Sequence, residues 1–242
     1  MSAFYEVRTR AKTAVGYVVS PPNSWGRVRG TIDLSLNVTP RAVTHYVKKF
    51  PQVDTASRRF FGLEYRLKRE RHPFVVDAED FPEIREVRVT EKHSLMADAI
   101  EHLDDISQSR HFRLAQHAIA SHGRAEFRHL IVRTEEEALS VIHGYVSGLV
   151  SSFAEHGHRD DLPQNPGLAA IGPDGQLLKS GQGHHRFATA RELGSPRIRL
   201  AVHFVAQKWA TDHGFDAARG RFSSWERLRS GLFDVEKRHQ ID

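Results

Sequence analysis

The pattern of hydrophobic and polar positions switches repeatedly between the period of a strand and that of a helix. Segment 31–38 (TIDLSLNV) alternates apolar and polar residues, which predicts a half-buried strand. The short runs 73–78 (PFVVDA) and 83–91 (EIREVRVTE) predict two further strands. Between segments 31–38 and 73–78, Pro40 opens a stretch that predicts a helix over 41–50. Its apolar residues follow helical spacing: Val43, Tyr46 and Val47.

The middle of the chain has the period and the terminal signals of three helices. Ser94 is placed to cap the first, whose apolar side comprises Met96, Ile100, Leu103 and Ile106. The second covers 111–123 and ends at its glycine, and a short strand over 127–134 (FRHLIVRT) follows. The third and longest begins at the capping-box pattern of Thr134 and ends at Gly157. Its apolar stripe comprises Leu139, Ile142, Val146, Leu149, Val150 and Phe153.

The C-terminal part of the chain predicts a hairpin, a helix and a strand in succession. The segments GLAAIG and QLLKS flank the turn sequence Pro-Asp-Gly at 173–175. A helix over 184–193 ends at Gly194, and alternation of period two over 197–205 predicts a strand. Strands and helices alternate throughout the chain, which predicts a mixed α/β (α+β) fold.

Composition places the chain among ordinary soluble globular proteins. Of its 242 residues, 39% are hydrophobic and 27% are charged. No apolar run approaches the ~18 residues that a membrane-spanning helix needs, and the N-terminus lacks the pattern of a secretory signal. We therefore expect a cytoplasmic protein without a membrane partner. The absence of cysteine excludes disulfides, thiolate metal sites and cysteine nucleophiles.

The charge balance leaves nucleic acid open as a partner, although we do not favour it. The formal net charge is +5, and the excess is scattered along the chain. Segment 57–74 (SRRFFGLEYRLKRERHPF) is the densest basic stretch. It could bind a polyanion, or it could form an ordinary solvated face.

A glycine-rich turn with two histidines and an arginine stands before the predicted helix over 184–193. Free backbone N–H groups and the positive end of the helix dipole make such a start suitable for a phosphate or a carboxylate. Glycines let the backbone approach a ligand, arginine binds oxyanions, and histidine exchanges protons near neutral pH. The sequence therefore predicts a phosphate cradle formed by Gly181, Gln182, Gly183, His184, His185 and Arg186. The two histidines could instead serve only to hydrogen-bond the turn.

The order of these motifs resembles the ParB/sulfiredoxin-like superfamily over residues 135–206. The matching positions, in chain order, are Asp174-Gly175, Leu177-Leu178, Gly183-His184-His185-Arg186, Ala190, Leu193-Gly194 and Ile198. The resemblance implies a ParB-like domain over 131–242. Before it we expect an N-terminal α+β region over 1–130, to which we assign no role.

The resemblance implies that a nucleotide phosphate binds at the start of the helix, and it makes ATP, ADP or CTP with Mg²⁺ the expected cofactors. Sulfinic acid repair is excluded because that chemistry requires a cysteine where this chain has His184. Chromosome partitioning is disfavoured because too few residues follow the last predicted strand for a helix-turn-helix domain and a dimerisation region. Kinase members of the superfamily have an acidic residue where Gln182 stands, and this departure supports a non-catalytic scaffold as one alternative.

The residue types and the resemblance together favour a phosphotransferase similar to small-molecule kinases. We expect His184 or His185 to orient phosphate or to act as acid or base. Asp160 and Asp161 are placed to hold Mg²⁺ through oxygen ligands, and Asp161 is the candidate base beside the hydroxyl of a small-molecule phosphate acceptor. A nucleic-acid-binding or nuclease-like module remains a further alternative.

Overall fold

The structure is a computed structural model that describes residues 34–47, 74–79, 81–157, 167–218 and 221–240. Strands and helices alternate along these residues, which confirms the predicted mixed α/β fold. The strands are β1 (Ser35–Val38), β2 (His45–Val47), β3 (Phe74–Val76), β4 (Ile84–Glu86), β5 (Ala125–Phe127), β6 (Leu130–Val132), β7 (Gly167–Ile171), β8 (Leu177–Ser180), β9 (Ile198–Ala206), β10 (Phe215–Asp216) and β11 (Arg221–Phe222). The helices are α1 (Glu91–Glu101), α2 (Arg110–His122), α3 (Glu135–His156), α4 (His184–Glu192), α5 (Gln207–Asp212) and α6 (Trp225–Arg238). Short 3₁₀ segments cover Pro40–Ala42, Val87–Val89 and Leu103–Gln108.

A mixed seven-stranded sheet forms the centre of the described chain. Its strands lie in the order β1-β9-β7-β8-β2-β4, and β3 pairs with β9 beyond the end of β1. β9 is parallel to β7 and β3 but antiparallel to β1, while β8 is antiparallel to β7 and parallel to β2. Strands from before and after residue 131 therefore belong to the same sheet.

Alternating side chains of β9 connect the sheet to its main core. Ile198 and Leu200 are buried, and they belong to one cluster with Phe187 of α4 and Leu228 of α6. Phe204, nearer the end of β9, packs in a separate cluster. Helix α4 is thereby anchored to the sheet directly after β8.

Helices α1, α2 and α3 form a second core together with the β5–β6 hairpin and α4. The apolar stripe predicted for α3 is confirmed, because Ile142 and Val146 are fully buried and Leu149 packs against the same cluster. Phe127 of the hairpin and Ala188 of α4 also belong to it. The start of α4 therefore lies where the sheet and the helical layer meet. None of the helices in the described part of the chain combines the length and the apolarity needed to cross a bilayer.

The helix predicted over 41–50 is wrong as far as the described residues reach. A single 3₁₀ turn, Pro40–Ala42, follows the proline, and β2 occupies His45–Val47. β2 lies between β8 and β4, and its backbone hydrogen bonds go to those two strands. Val47, a β-branched residue, is fully buried there. Pairing with strands that are distant in sequence overrides the helical spacing of the apolar residues.

The strand predicted over 127–134 is a hairpin instead. β5 and β6 pair antiparallel, and Arg128 and His129 form the turn between them. Arg128 has a φ of 60°, in the left-handed region that glycine and asparagine usually occupy. The turn contains none of the residues that normally indicate a hairpin, so the sequence pattern carried no signal for it.

The backbone at the starts of α1 and α3 tests the N-cap predicted for each helix, and Ser94 proves not to be the N-cap of α1. Thr90 rather than Ser94 precedes α1, and the Ser94 hydroxyl donates to the Glu91 carbonyl at 3.2 Å inside the helix. The cap predicted at Thr134 is confirmed, because the Glu137 N–H donates to the Thr134 hydroxyl oxygen at 3.2 Å. The Glu137 carboxylate accepts from the N–H of Arg133 at 2.7 Å, one residue before the cap, and not from Thr134 as a capping box requires.

Candidate anion-binding site at the start of helix α4

A tight loop with two glycines connects β8 to α4. Gly181 and Gly183 have φ values of 52° and 79°, a left-handed conformation that glycine adopts without steric cost. Gly183 is the N-cap of α4. The Leu168 N–H donates to the Gln182 carbonyl at 3.1 Å, which ties the loop to the start of β7. The predicted succession of hairpin, glycine turn, helix and strand is confirmed.

The first turn of α4 presents backbone N–H groups that the helix itself does not use. The bond from the Phe187 N–H to the Gly183 carbonyl, at 3.0 Å, opens the helical ladder. The N–H groups of His184, His185 and Arg186 precede it and have no acceptor one turn earlier in the helix. Together with the positive end of the helix dipole, these groups favour an anion at this position.

A buried lysine lies beneath the loop. Lys179 of β8 is 1% exposed, and its ammonium donates to the carbonyl oxygens of Leu168, Ser180 and Gln182 at 3.1, 2.6 and 2.7 Å. The three N–H groups of an ammonium match these three acceptors. Lys179 therefore braces the loop from below, a role that sequence analysis missed. The available signal was the position of Lys179 two residues after the buried Leu177, on the same face of β8.

The environment of Lys179 opposes its charge. Burial, with a smaller contribution from the charge of Lys92 on α1, lowers the pKa of Lys179 to about 7. About half of the Lys179 side chains are therefore charged at neutral pH, whereas an exposed lysine keeps its charge to far higher pH.

His184 and His185 are the first two residues of α4, and both are half-buried. Burial lowers the pKa of His184 to about 3, and the charges of Lys179 and Lys92 contribute. Burial likewise lowers the pKa of His185 to about 4, with a contribution from neighbouring cations. Both rings are therefore neutral at physiological pH, so each offers one N–H donor and one acceptor.

His185 belongs to a cluster of side chains that sequence analysis did not identify. The Tyr145 hydroxyl of α3 lies 2.9 Å from Nδ1 of His185. The Arg128 guanidinium lies 4.5 Å from the centroid of the Tyr145 ring, in a cation–π contact. The ring of His111 on α2 lies 6.4 Å from the His185 ring, and its Nε2 is buried without a hydrogen-bond partner among the described residues. These residues are distant in sequence, so no local pattern could indicate the cluster.

Most of the described charged side chains that act on the groups around the first turn of α4 are cationic, and the exception is Asp98 of α1, whose carboxylate raises the pKa of His111. Four cations come from α1, the β5–β6 turn, β8 and α4 itself: Lys92, Arg128, Lys179 and Arg186. Among the described residues, no carboxylate contributes to the shifted pKa of His184 or His185, for which burial is the main cause. The site is therefore electropositive, and an anion would relieve the repulsion among its cations.

The structure brings together only part of the predicted site. The turn from Gly181 to Arg186 forms one continuous loop and helix start, with the Gln182 side chain exposed. Asp160 and Asp161 lie outside the described residues, as does nearly all of the basic stretch 57–74. Within the ranges that the structure describes, no group of three or more histidine, aspartate or glutamate side chains is arranged to hold a metal ion.

Comparison of the chain with protein-family models, curated proteins and solved structures found no match.

Proposed function

We propose that the start of α4 binds a phosphate group of a nucleoside phosphate. The proposal is carried by one observation: helix N–H groups with no acceptor in a preceding turn and four cationic side chains converge where no described carboxylate contributes to the pKa of His184 or His185. A phosphate dianion would accept hydrogen bonds from these N–H groups and reduce the repulsion between the cations. The ParB-like order of hairpin, glycine turn, helix and strand supports the same class of ligand by resemblance.

Each part of the turn has a distinct role in this proposal. The two glycines allow the backbone to approach the ligand, and the N–H groups of His184 and His185 bind phosphate oxygens. Arg186 supplies a guanidinium charge that balances the anion. Gln182 acts through its carbonyl, which accepts from Lys179 and so keeps the loop in place.

We infer that phosphoryl transfer to a small-molecule acceptor follows binding. The acceptor hydroxyl oxygen attacks the terminal phosphorus of ATP, the bond from that phosphorus to the bridging oxygen breaks, and ADP leaves. Asp161 is the candidate acceptor of the hydroxyl proton, and Asp160 and Asp161 are the candidate ligands of Mg²⁺. These two roles come from the sequence alone. Mg²⁺, when bound, would shield phosphate charge, and Arg186 would neutralise the charge that develops on the transferred group.

Calorimetric titration tests the binding step. ATP, ADP and CTP are titrated, with and without Mg²⁺, into the wild type and into the variants Arg186→Gln and Arg227→Gln. Arg227 is the matched control because it is an exposed arginine in the first turn of α6. We expect Arg186→Gln to weaken binding by about tenfold or more, the worth of a hydrogen bond to a charged group, and Arg227→Gln to have no effect. No binding heat with any nucleotide in either condition would reject the proposal.

A separate assay tests the transfer step. The wild type and Asp161→Asn are incubated with ATP, Mg²⁺ and a panel of small hydroxyl compounds, and ADP release is followed. We expect release that depends on the acceptor and that Asp161→Asn abolishes while ATP still binds. Binding without ADP release would leave a nucleotide-binding protein and remove the transfer step. Displacement of ATP by short oligonucleotides at low salt would favour the nucleic-acid alternative.

A further inference from the structure

The hydrogen bond between Tyr145 and His185 links α3 to the first turn of α4. The Tyr145 oxygen lies 2.9 Å from Nδ1 of His185, and either group could be the donor. A neutral imidazole carries its hydrogen on one nitrogen and accepts on the other. The direction of this bond therefore decides which nitrogen of His185 carries the hydrogen.

Three features favour the Tyr145 hydroxyl as the donor. A phenol is a stronger acid than a neutral imidazole N–H, and an imidazole nitrogen is a better acceptor than a phenol oxygen. The charges of Arg128 and Arg186 oppose the rise in the pKa of Tyr145 that burial causes, and so make its hydroxyl a better donor. Tyr145 makes no other hydrogen bond within the described chain, so its hydrogen would have no acceptor among the described residues if Nδ1 were the donor.

With Nδ1 as the acceptor, the hydrogen of the His185 ring lies on Nε2. Nε2 of His185 has no hydrogen-bond partner among the described residues. Unlike Nε2 of His111, it is not one of the buried atoms left without a partner. This nitrogen is therefore not fully buried, and it belongs to the second residue of α4, in the turn whose backbone N–H groups have no acceptor one turn earlier in the helix.

We propose that Tyr145 is a positioning residue that holds His185 as the Nε2–H tautomer, so that the ring supplies a neutral donor to an oxyanion bound at the start of α4. The ligand in this proposal is the phosphate of the proposed function, on which it rests. The tautomer itself can be observed without any ligand.

The groups that face His185 keep its ring in the neutral form for which the tautomer matters. Burial is the main reason for its low pKa, and His111, Arg128 and Lys92 add to it. The Arg128 guanidinium also covers the Tyr145 ring. The Phe127 ring packs edge-on against it, with 5.5 Å between the two ring centroids. Tyr145 is therefore held in place by contacts that a phenylalanine would preserve.

Nitrogen NMR of ¹⁵N-histidine-labelled protein without ligand tests the tautomer directly. The spectra of the wild type, Tyr145→Phe and His185→Gln are compared, and the last variant assigns the His185 signals. We expect the Nε2–H form in the wild type and a mixture of both tautomers in Tyr145→Phe. An Nδ1–H form in the wild type, or an identical tautomer in both proteins, would overturn the proposal.

A double-mutant cycle with inorganic phosphate tests the consequence for binding. We expect Tyr145→Phe to weaken phosphate binding by about threefold to tenfold, and to have no further effect in a His185→Ala background. An equal loss in both backgrounds would show that Tyr145 does not act through His185. If the wild type binds no phosphate, the proposed function fails while the NMR spectra still decide the tautomer. If His185→Ala does not fold, the spectra alone decide.

Discussion

Gly183 and Gly167 touch backbone to backbone. A Cβ added to Gly183 would lie 2.8 Å from the Cα of Gly167 and 3.4 Å from its nitrogen, so there is no room for a side chain. Gly183 also has a φ of 79°, which side chains disfavour. The start of α4 is therefore held against the start of β7 by contacts that only glycine permits.

Gly183→Ala is expected to destabilise the protein and to abolish binding at the start of α4. The left-handed backbone alone costs about 1–2 kcal/mol with a side chain, and the clash with Gly167 adds to that cost. Gly148→Ala is the matched control, because Gly148 lies inside α3 with no atom within 4 Å of an added Cβ. It is expected to gain about 0.5–1 kcal/mol. Urea unfolding measures both, and equal stability of the two variants would contradict the role assigned to Gly183.

Lys179 is expected to make stability depend on pH. Its pKa falls from an ordinary 10.5 to about 7 because of burial, so the unfolded chain binds more protons between these values. The free energy of unfolding therefore rises with pH across that window, by about 1.4 kcal/mol per pH unit. The same amount of stability is lost as pH falls towards 7, because the buried Lys179 side chain then takes up a proton. The unfolding free energy of the wild type should therefore rise relative to that of Lys179→Met, at the same rate, as pH rises from about 7 to 10.5. Lys237→Met, which removes an exposed lysine, should follow the wild type. If the unfolding free energies of the wild type and Lys179→Met changed with pH in parallel, this account would be refuted.

Anion binding at the start of α4 is expected to take up protons. Burial, together with the charges of nearby cations, lowers the pKa values of His184 and His185 to about 3 and about 4. A bound anion would raise both values, so affinity should increase as pH falls from about 7 to about 5. Sulfate is the suitable probe because it does not titrate in this range. Calorimetry in two buffers of different ionisation enthalpy counts the protons. Flat affinity without proton uptake would contradict the expected rise in the two pKa values.

Local signals in the sequence predicted the part of the fold that carries the candidate site. The turn at 173–175, the glycines of 181–183 and Gly194 mark the ends of β7, β8 and α4, because each requires a special backbone conformation. The long apolar period of α3 was equally clear. These elements are recognisable because residues close in sequence determine them.

Contacts between distant segments account for what sequence analysis missed. β2 is a strand because β8 and β4 pair with it, although its apolar residues follow helical spacing. The burial of Lys179 is possible because three carbonyl oxygens accept hydrogen bonds from its side-chain nitrogen. The residue type by itself predicts an exposed side chain, because lysine is almost never fully buried without a partner. Tyr145 and His111 reach the start of α4 from separate helices, so nothing near His185 in the sequence indicates them. Residue types can thus suggest an anion-binding turn, but they do not reveal what surrounds it.

The backbone of Arg128 is expected to be strained. Two substitutions separate the cost of this strain from the contribution of the contact between the Arg128 side chain and Tyr145. Both Arg128→Ala and Arg128→Gly remove the cation–π contact, which spans 4.5 Å from the guanidinium to the ring centroid. Only glycine relieves the positive φ of 60°. Arg128→Gly should therefore be more stable than Arg128→Ala by about 1 kcal/mol. The same pair at His129, the other turn residue, is the control, and there alanine should be at least as stable as glycine because His129 does not have a positive φ. Urea unfolding of the four variants measures the two differences, and an Arg128→Ala protein as stable as Arg128→Gly would show that the turn is not strained.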